Sequence, residues 1–430
     1  MNRAAALFTS DAFTWSFVAA VIAETAVRLW LTGRQIDSVR GHRDRVPDAF
    51  VGQITSEEQQ RAADYTVARA RVGRFATLAD AIIKLALTLG GGLAFAQTLA
   101  GRSHLGEPWR GTVTVLGVLF AMQLLDLPFD VWRTFGVEAR FGFNRTSPRI
   151  FALDLLKRSL LGLAIGAPLL AATLALMQRA GDSWWAWAWL VWFGVMLALT
   201  WAAPRFIAPL FNRFSPLTDE PLRERVEALL ERCGFRAGGG VFVMDGSRRS
   251  AHGNAYFTGI GRNKRIVFFD TLLARIDRDE IEAVLAHELG HFRLNHVRQR
   301  LVLSALSVLA GLALLGWLAR QPAFYASLGV PVGSPAMALL LFLVAVPVFT
   351  YFATPLGAWW SRRHEREADD FALRYSSADR LAGALVKLYR DNATTLTPDP
   401  MHSAFYDSHP PALERIARLR GSGRALSAQG

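Results

Sequence analysis

Seven apolar stretches, at about 12–32, 75–99, 112–132, 151–176, 184–204, 300–319 and 334–358, are each long enough to cross a bilayer as a helix. Nothing else in the chain restricts the fold as much. In hydrocarbon every backbone amide must be satisfied within the segment, so runs of this length predict a bundle of membrane helices. The first run has the position of a secretion signal, but its basic lead is thin, Arg3 alone, and its apolar length predicts a retained helix. That helix carries Glu24 and Arg28 four residues apart, a spacing at which the two charges partly neutralise each other. Asp80, Lys84, Asp126, Asp130 and Asp154 also fall within or at the ends of apolar runs. Charges at such depth face a bundle interior or a wet cavity, unless they sit at helix ends near the headgroups.

The net formal charge of +12 raises the question of a nucleic-acid partner. The arginines answer it, because they cluster between the apolar runs. Arg34, Arg40, Arg43, Arg45, Arg61, Arg69, Arg71 and Arg74 fill the 33–74 loop, and Arg133, Arg140, Arg145, Arg149, Lys157 and Arg158 follow the third run. The alternate loops hold only Arg102 and Arg110, then Arg179, then Arg320. The positive-inside rule therefore puts 33–74, 133–150, 205–299 and 359–430 in the cytoplasm and the amino terminus outside. This predicts a lipid bilayer as partner and no nucleic acid. Thirteen tryptophans suit the lipid–water interface. Cys233 is the only cysteine, which excludes an intramolecular disulfide framework and a cysteine metal cluster.

Four units follow: a five-helix membrane part at 1–204, a soluble part at 205–299, a membrane hairpin at 300–358, and a second soluble part at 359–430. In the first soluble part Leu222 to Cys233 reads as an amphipathic helix closed by Gly234. Val241 to Met244, Ala255 to Thr258 and Arg265 to Phe269 read as short strands. A sheet edge there can hold an extended peptide through main-chain hydrogen bonds. A helix is expected from about Ser361 to Asp391, and the small polar stretch Gly421 to Gly430 reads as a frayed tail.

Within the soluble part His287, Glu288 and His291 spell H-E-x-x-H. Asp277 as N-cap with Glu280 three residues on, then Ile281, Val284, Leu285, Leu289 and Phe292, place this motif on a helix. Histidines four apart share a face and reach one ion, and zinc suits imidazole nitrogen. Glu288, beside the first histidine, is placed to take a proton from an attacking water and pass it to a leaving amine. A hydrolytic zinc takes three protein ligands and keeps a fourth position open. A third histidine six residues beyond the second is missing, since Val297 stands there. His296, five residues on, lies well round a continuous helix and reads as a surface or interfacial residue. A carboxylate from SRRHEREADD, Ser361 to Asp370, is the remaining choice. Glu365 and Asp369 share a face, one to ligate and one to accept a ligand's N–H, while Glu367 and Asp370 compete on spacing alone.

HELGH, SRRHEREAD, RSAHGNAYFTG and YDSHPPALERI together resemble the type I CAAX prenyl endopeptidases, integral-membrane zinc proteases of the gluzincin group. RQIDSVRGHRDRVPDAF, RAADYTVARARVGRF and DLPFDVWRTFGVEARFGFNRT extend the resemblance over the membrane half. It implies a mainly α fold, with seven membrane helices around a chamber and a small α+β metalloprotease domain split by the last two helices. It implies one Zn2+ per chain on His287, His291 and Glu365, with Glu288 as general base. It implies that Asp369 and Arg415 support the ligands, that Asn254 holds the substrate backbone, and that His409 stabilises the tetrahedral intermediate.

The expected substrate is a peptide or protein cut beside a C-terminally prenylated cysteine. The alternative is a membrane quality-control endopeptidase acting on chains without a prenyl group. Compact loops and an Ala/Arg-rich composition suggest a bacterial plasma membrane, where prenylated proteins are not expected. A channel with a structural zinc is disfavoured, because such a site closes its fourth position with a protein ligand.

Overall fold

A helix of 32 residues is about 48 Å long, well beyond the roughly 30 Å of a bilayer core. The first two helices, α1 (Ser10–Gly41) and α2 (Ser56–Leu87), both have this length. Their excess carries them past the bilayer toward the soluble part. The expected 33–74 loop is therefore mostly helix, with a connector of 42–55. Thr55 caps α2 with a reciprocal pair of bonds to Glu58. The computed structural model describes residues 10–235, 239–258 and 265–427. Arg3 and residues 428–430 lie outside the described residues.

The second apolar run is not one straight span. After α2 the chain bends by 51° into α3 (Gly92–Gly101). The cause is Gly90, Gly91 and Gly92: Gly91 has φ +78°, and a Cβ on Gly90 would meet the Ala86 carbonyl oxygen at 2.7 Å. Helices α4 (Trp109–Val131), α5 (Pro148–Arg179) and α6 (Trp184–Ala202) complete the membrane half. Among the described residues six helices are long and apolar enough to cross a membrane, seven when α2 and α3 count as one bent span. The interior of this bundle is Phe17, Leu93, Val115, Leu174, Leu315, Phe324 and Leu341.

The soluble part opens with strand β1 (Phe214–Pro216), which three residues of Phe-Ser-Pro do not announce in the sequence. Helix α7 (Glu220–Arg232) follows, closed by Gly234 at φ +60°. Strands β2 (Val241–Met244), β3 (Ala255–Thr258) and β4 (Arg265–Phe269) then form a sheet in the order β1-β2-β4-β3. β2 and β4 are parallel and the other pairs antiparallel, so β3 is an edge. Helix α8 (Arg278–Arg293) carries the H-E-x-x-H motif, and α9 (His296–Leu318) and α10 (Pro335–Thr350) make the membrane hairpin. The chain returns as α11 (Thr354–Tyr375), α12 (Ala378–Asp391), α13 (Pro400–Tyr406) and α14 (Ala412–Ser427). Two expectations fail here. The helix foreseen over 361–391 breaks at Ser376 and Ser377, where Ser377 caps α12, and the supposed tail from Gly421 stays helical to Ser427.

Leu222, Val226 and Leu229 of α7, Ile266 and Phe268 of β4, Ile281, Leu285 and Leu289 of α8, Leu381 of α12 and Ile416 of α14 share one core. Burying each such side chain contributes roughly 1.5–3 kcal/mol. That core grips the apolar face of α8 and leaves the histidine face turned to α11. Gly290 sets the separation: a Cβ there would lie 3.0 Å from the Ala368 Cα and 3.1 Å from its carbonyl oxygen. Only glycine lets the two helices approach this closely.

Candidate metal centre

Helix α8 starts on a capping box. Asp277 Oδ1 accepts from the Glu280 amide at 2.9 Å, and Glu280 Oε2 accepts from the Asp277 amide at 3.0 Å. Lys387 of α12 donates to the same Glu280 oxygen at 2.6 Å, which locks the start of the helix to its neighbour. Two turns later His287 and His291 project from one face, near the carboxyl end of the helix, where its dipole favours a cation.

Against them stands Glu365 of α11. His287 Nε2 and His291 Nε2 are 3.3 Å apart, and each is 3.3 Å from one oxygen of the Glu365 carboxylate. His287 faces Oε2 and His291 faces Oε1, so the two nitrogens and the carboxylate close on one small space. Zinc bonds of about 2.0–2.1 Å in tetrahedral geometry place ligand atoms about 3.3–3.4 Å apart, the separation found between the two nitrogens and from each nitrogen to its nearer carboxylate oxygen. Glu365 Oε2 is also buried without a hydrogen-bond partner. An orphaned carboxylate oxygen is costly, and a cation would satisfy it. The donor set of two imidazoles and one carboxylate fits a catalytic metal with an open fourth position.

The competing carboxylates point elsewhere. Glu367 meets His296 and Arg363, and Asp370 pairs with Arg418. Asp369, one turn beyond Glu365, lies 2.8 Å from His287 Nδ1. Arg415 of α14 grips that aspartate with two bonds, Nη2 to Oδ1 at 2.6 Å and Nε to Oδ2 at 3.0 Å. A guanidinium fork on a carboxylate fixes orientation as well as charge. Burial and the Arg415 charge push the His287 imidazole down, but the neighbouring carboxylates of Asp369 and Glu365 outweigh them and hold it up, at about 9. Burial also pushes the Glu288 carboxyl up, against the pull of His287 and His291.

A cavity of about 500 Å³ opens over this cluster and is lined by Asn254, His287, Glu288, Glu365, His409 and Arg415 among others. All eight residues singled out in the sequence therefore converge on one place, Asp369 from behind it. His409 Nε2 is 3.5 Å from Glu365 Oε2, on a loop whose Ser408 hydroxyl meets His409 Nδ1 at 3.0 Å. Asn254 stands at the start of the edge strand β3, its side-chain oxygen accepting from the Ala255 amide at 2.9 Å. The segment before it is pinned to the membrane half, because Arg249 holds Asp154 of α5 at 2.7 and 2.9 Å.

Two groups escaped the sequence. Tyr389 of α12 lines the cavity with its hydroxyl buried, and no motif marked it. His296, read from spacing as a surface or interfacial residue, is 1% exposed and lies between His291 and Glu367 instead of at the surface. The helix ends at Arg293, short of His296. Asn295, at φ +61° between α8 and α9, turns the chain so that His296 Nδ1 lies 3.0 Å from His291 Nδ1. The dipeptide Leu-Asn was the available signal, since asparagine tolerates the left-handed conformation that closes helices.

The chain is similar to known proteins along nearly its whole length. Residues 35–213 match the profile described as CAAX prenyl protease N-terminal, five membrane helices, and residues 216–422 match peptidase family M48. The CAAX prenyl protease 1 homolog of Arabidopsis thaliana is 34% identical over 392 residues, spanning 88% of this chain and 91% of that protein. The CAAX prenyl protease 1 of Saccharomyces cerevisiae is 31% identical, with 93% of each covered. The crystal structure of S. mikatae Ste24p superposes with a TM-score of 0.86 at 29% identity, over 94% of this chain and 98% of that one. The fold is thus the polytopic helical one, membrane helices around a chamber with a small α+β peptidase part.

Proposed function

The chain belongs to the CAAX prenyl protease family of M48 peptidases, and from that membership we propose how its residues share the work. Members of this family are zinc-dependent integral-membrane endopeptidases, and so is this chain. His287, His291 and Glu365 hold a single zinc ion. When bound, zinc supplies the Lewis acid that polarises the scissile carbonyl and the attacking water. Glu288, its carboxyl raised by burial, takes the proton of that water and delivers it to the leaving nitrogen. Asp369 receives the N–H of His287 and so presents Nε2 toward the ion, and Arg415 keeps Asp369 in place.

The substrate enters extended along β3, adding a strand to the sheet edge, with Asn254 holding its backbone. His409 donates a hydrogen bond where negative charge develops on the carbonyl oxygen. Loss of one such donor typically costs about 10²- to 10³-fold in rate. The observation that carries the assignment is the convergence of His287 Nε2, His291 Nε2 and the Glu365 carboxylate at 3.3 Å spacings, one carboxylate oxygen being left unsatisfied.

The curated relatives are named for prenylated CAAX substrates, and the same class is proposed here. The arginine-rich segments favour a peptidase part on the cytoplasmic face, by the positive-inside rule. A bacterial plasma membrane is supported only by compact loops and composition, and nucleic acid has no role in this reading. Purified protein is offered a farnesylated CAAX peptide and its unprenylated twin, with and without a zinc chelator. Cleavage at least tenfold faster for the prenylated peptide, abolished by chelator, is expected. Equal rates would favour the quality-control alternative, and chelator-resistant cleavage would sink the zinc mechanism.

A further inference from the structure

The two histidine ligands are supported in different ways. His287 has a carboxylate behind it, Asp369. Behind His291 stands another histidine, His296, with Nδ1 3.0 Å from His291 Nδ1. The far nitrogen of His296, Nε2, is 3.0 Å from Glu367 Oε2. Arg363 then fixes the other oxygen of Glu367 at 2.9 Å. A stacked ring, His364, lies 3.9 Å from His296 at 5°, and His364 Nε2 meets Gln299 Oε1 at 3.0 Å.

Hydrogen-bond bookkeeping admits one arrangement of protons when a metal is held by His291 Nε2. That nitrogen then carries no hydrogen, so the proton of the ring is on Nδ1 and must be donated. The acceptor in place is His296 Nδ1. Its own proton is consequently on Nε2, where Glu367 accepts it. Every donor in the chain His291, His296, Glu367 meets one acceptor, and the row ends on a carboxylate held by a guanidinium.

We propose that His296 and Glu367 form a hydrogen-bonded relay that orients His291 and tightens its hold on the metal. Both are positioning residues, and the inference rests on His291 being a ligand. Because His296 opens the membrane helix α9, the relay also couples the metal to the position of that helix. His296, His364 and Glu367 are close enough together to suggest a second metal site. Their geometry favours the relay: stacked parallel rings send their lone pairs side by side, not toward one point, and His296 Nδ1 is already engaged.

The test is zinc affinity of the full chain, read by competition with a chromophoric chelator, beside kcat and KM. His296→Leu is expected to weaken zinc binding by about 10- to 100-fold. His296→Gln, which keeps an acceptor and a donor, is expected to recover most of that loss. Glu367→Leu, at a residue 36% exposed on its side chain, tests the far end with little risk to folding and is expected to weaken binding by about tenfold. Wild-type affinity in His296→Leu and Glu367→Leu would overturn the relay, as would equal losses in His296→Leu and His296→Gln. Two zinc ions per wild-type chain would also overturn it, in favour of the second metal site. His291→Ala separates the two levels: if that variant keeps zinc, the ligand assignment itself is wrong.

Discussion

Two clusters of buried charge, one within the membrane half and one in the peptidase part, are built to opposite specifications. In the membrane half Glu24, only 2% exposed, meets Arg28 at 2.6 Å and Lys84 at 3.1 Å, and Lys84 meets Asp80 at 2.8 Å. Two carboxylates face two cations there. Around the metal centre Glu288, Glu365, Asp369 and Asp370 face two guanidiniums, Arg415 and Arg418. In the first cluster each of these four charges meets an opposite one. The second is short by two positive charges, the charge of one zinc ion. Without metal it recovers part of the deficit by holding a proton on His287, whose pKa is pushed up to about 9. Burying an unbalanced set of charges costs several kcal/mol, so such a set in a fold indicates an expected ligand, whereas a balanced set indicates structure.

The comparison can be broken most severely at the chemistry. Glu288→Gln removes the base and leaves the three proposed ligands, so peptide cleavage should fall by about 10²- to 10⁴-fold in a steady-state assay. Next comes the balance itself. Arg415→Met deepens the deficit and is expected to destabilise the metal-free protein by roughly 3–5 kcal/mol. Thermal unfolding should show zinc restoring more stability to this variant than to the wild type. A zinc-induced shift no larger than that of the wild type would mean that the two clusters do not differ as described.

Lys84→Met imbalances the membrane cluster, with a smaller expected loss of roughly 1–3 kcal/mol because Arg28 still serves Glu24. Its response to zinc should be unchanged, and the double variant Lys84→Met/Glu24→Gln should recover stability. The smallest effect concerns the contact between the halves. Arg34 of α1 holds Asp399 at 3.1 and 2.9 Å, while Asp399 caps α13. Burial raises the Asp399 carboxyl, but the bond to Arg34 outweighs it and the net shift is downward. Its contribution is therefore present above the unfolded value near 3.9 and lost as pH falls through the lower folded value. Asp399→Asn should cost about 1–2 kcal/mol at pH 7, measured by thermal unfolding, and the difference from wild type should shrink on acidification.

Much of this was legible in the residues, and the gaps have physical causes. The strands at 241–244, 255–258 and 265–269 and the helix after Asp277 stand where period and caps put them, since those signals are local. The bend between α2 and α3 was hidden because hydropathy counts a glycine triplet as apolar. Spacing left Glu365, Glu367 and Asp370 as rivals. What separates them is the face of α11 that meets Gly290, a contact made across a membrane hairpin and invisible to local pattern. His296 was misplaced because one left-handed residue, Asn295, interrupts the periodicity on which the reading relied.

The most direct test of the central claim, that one zinc ion is gripped by α8 and α11 together, is the metal content of two purified variants by mass spectrometry. Glu288→Gln and the wild type should each carry one zinc per chain, and Glu365→Gln should carry almost none. Full zinc occupancy in Glu365→Gln would contradict the claim.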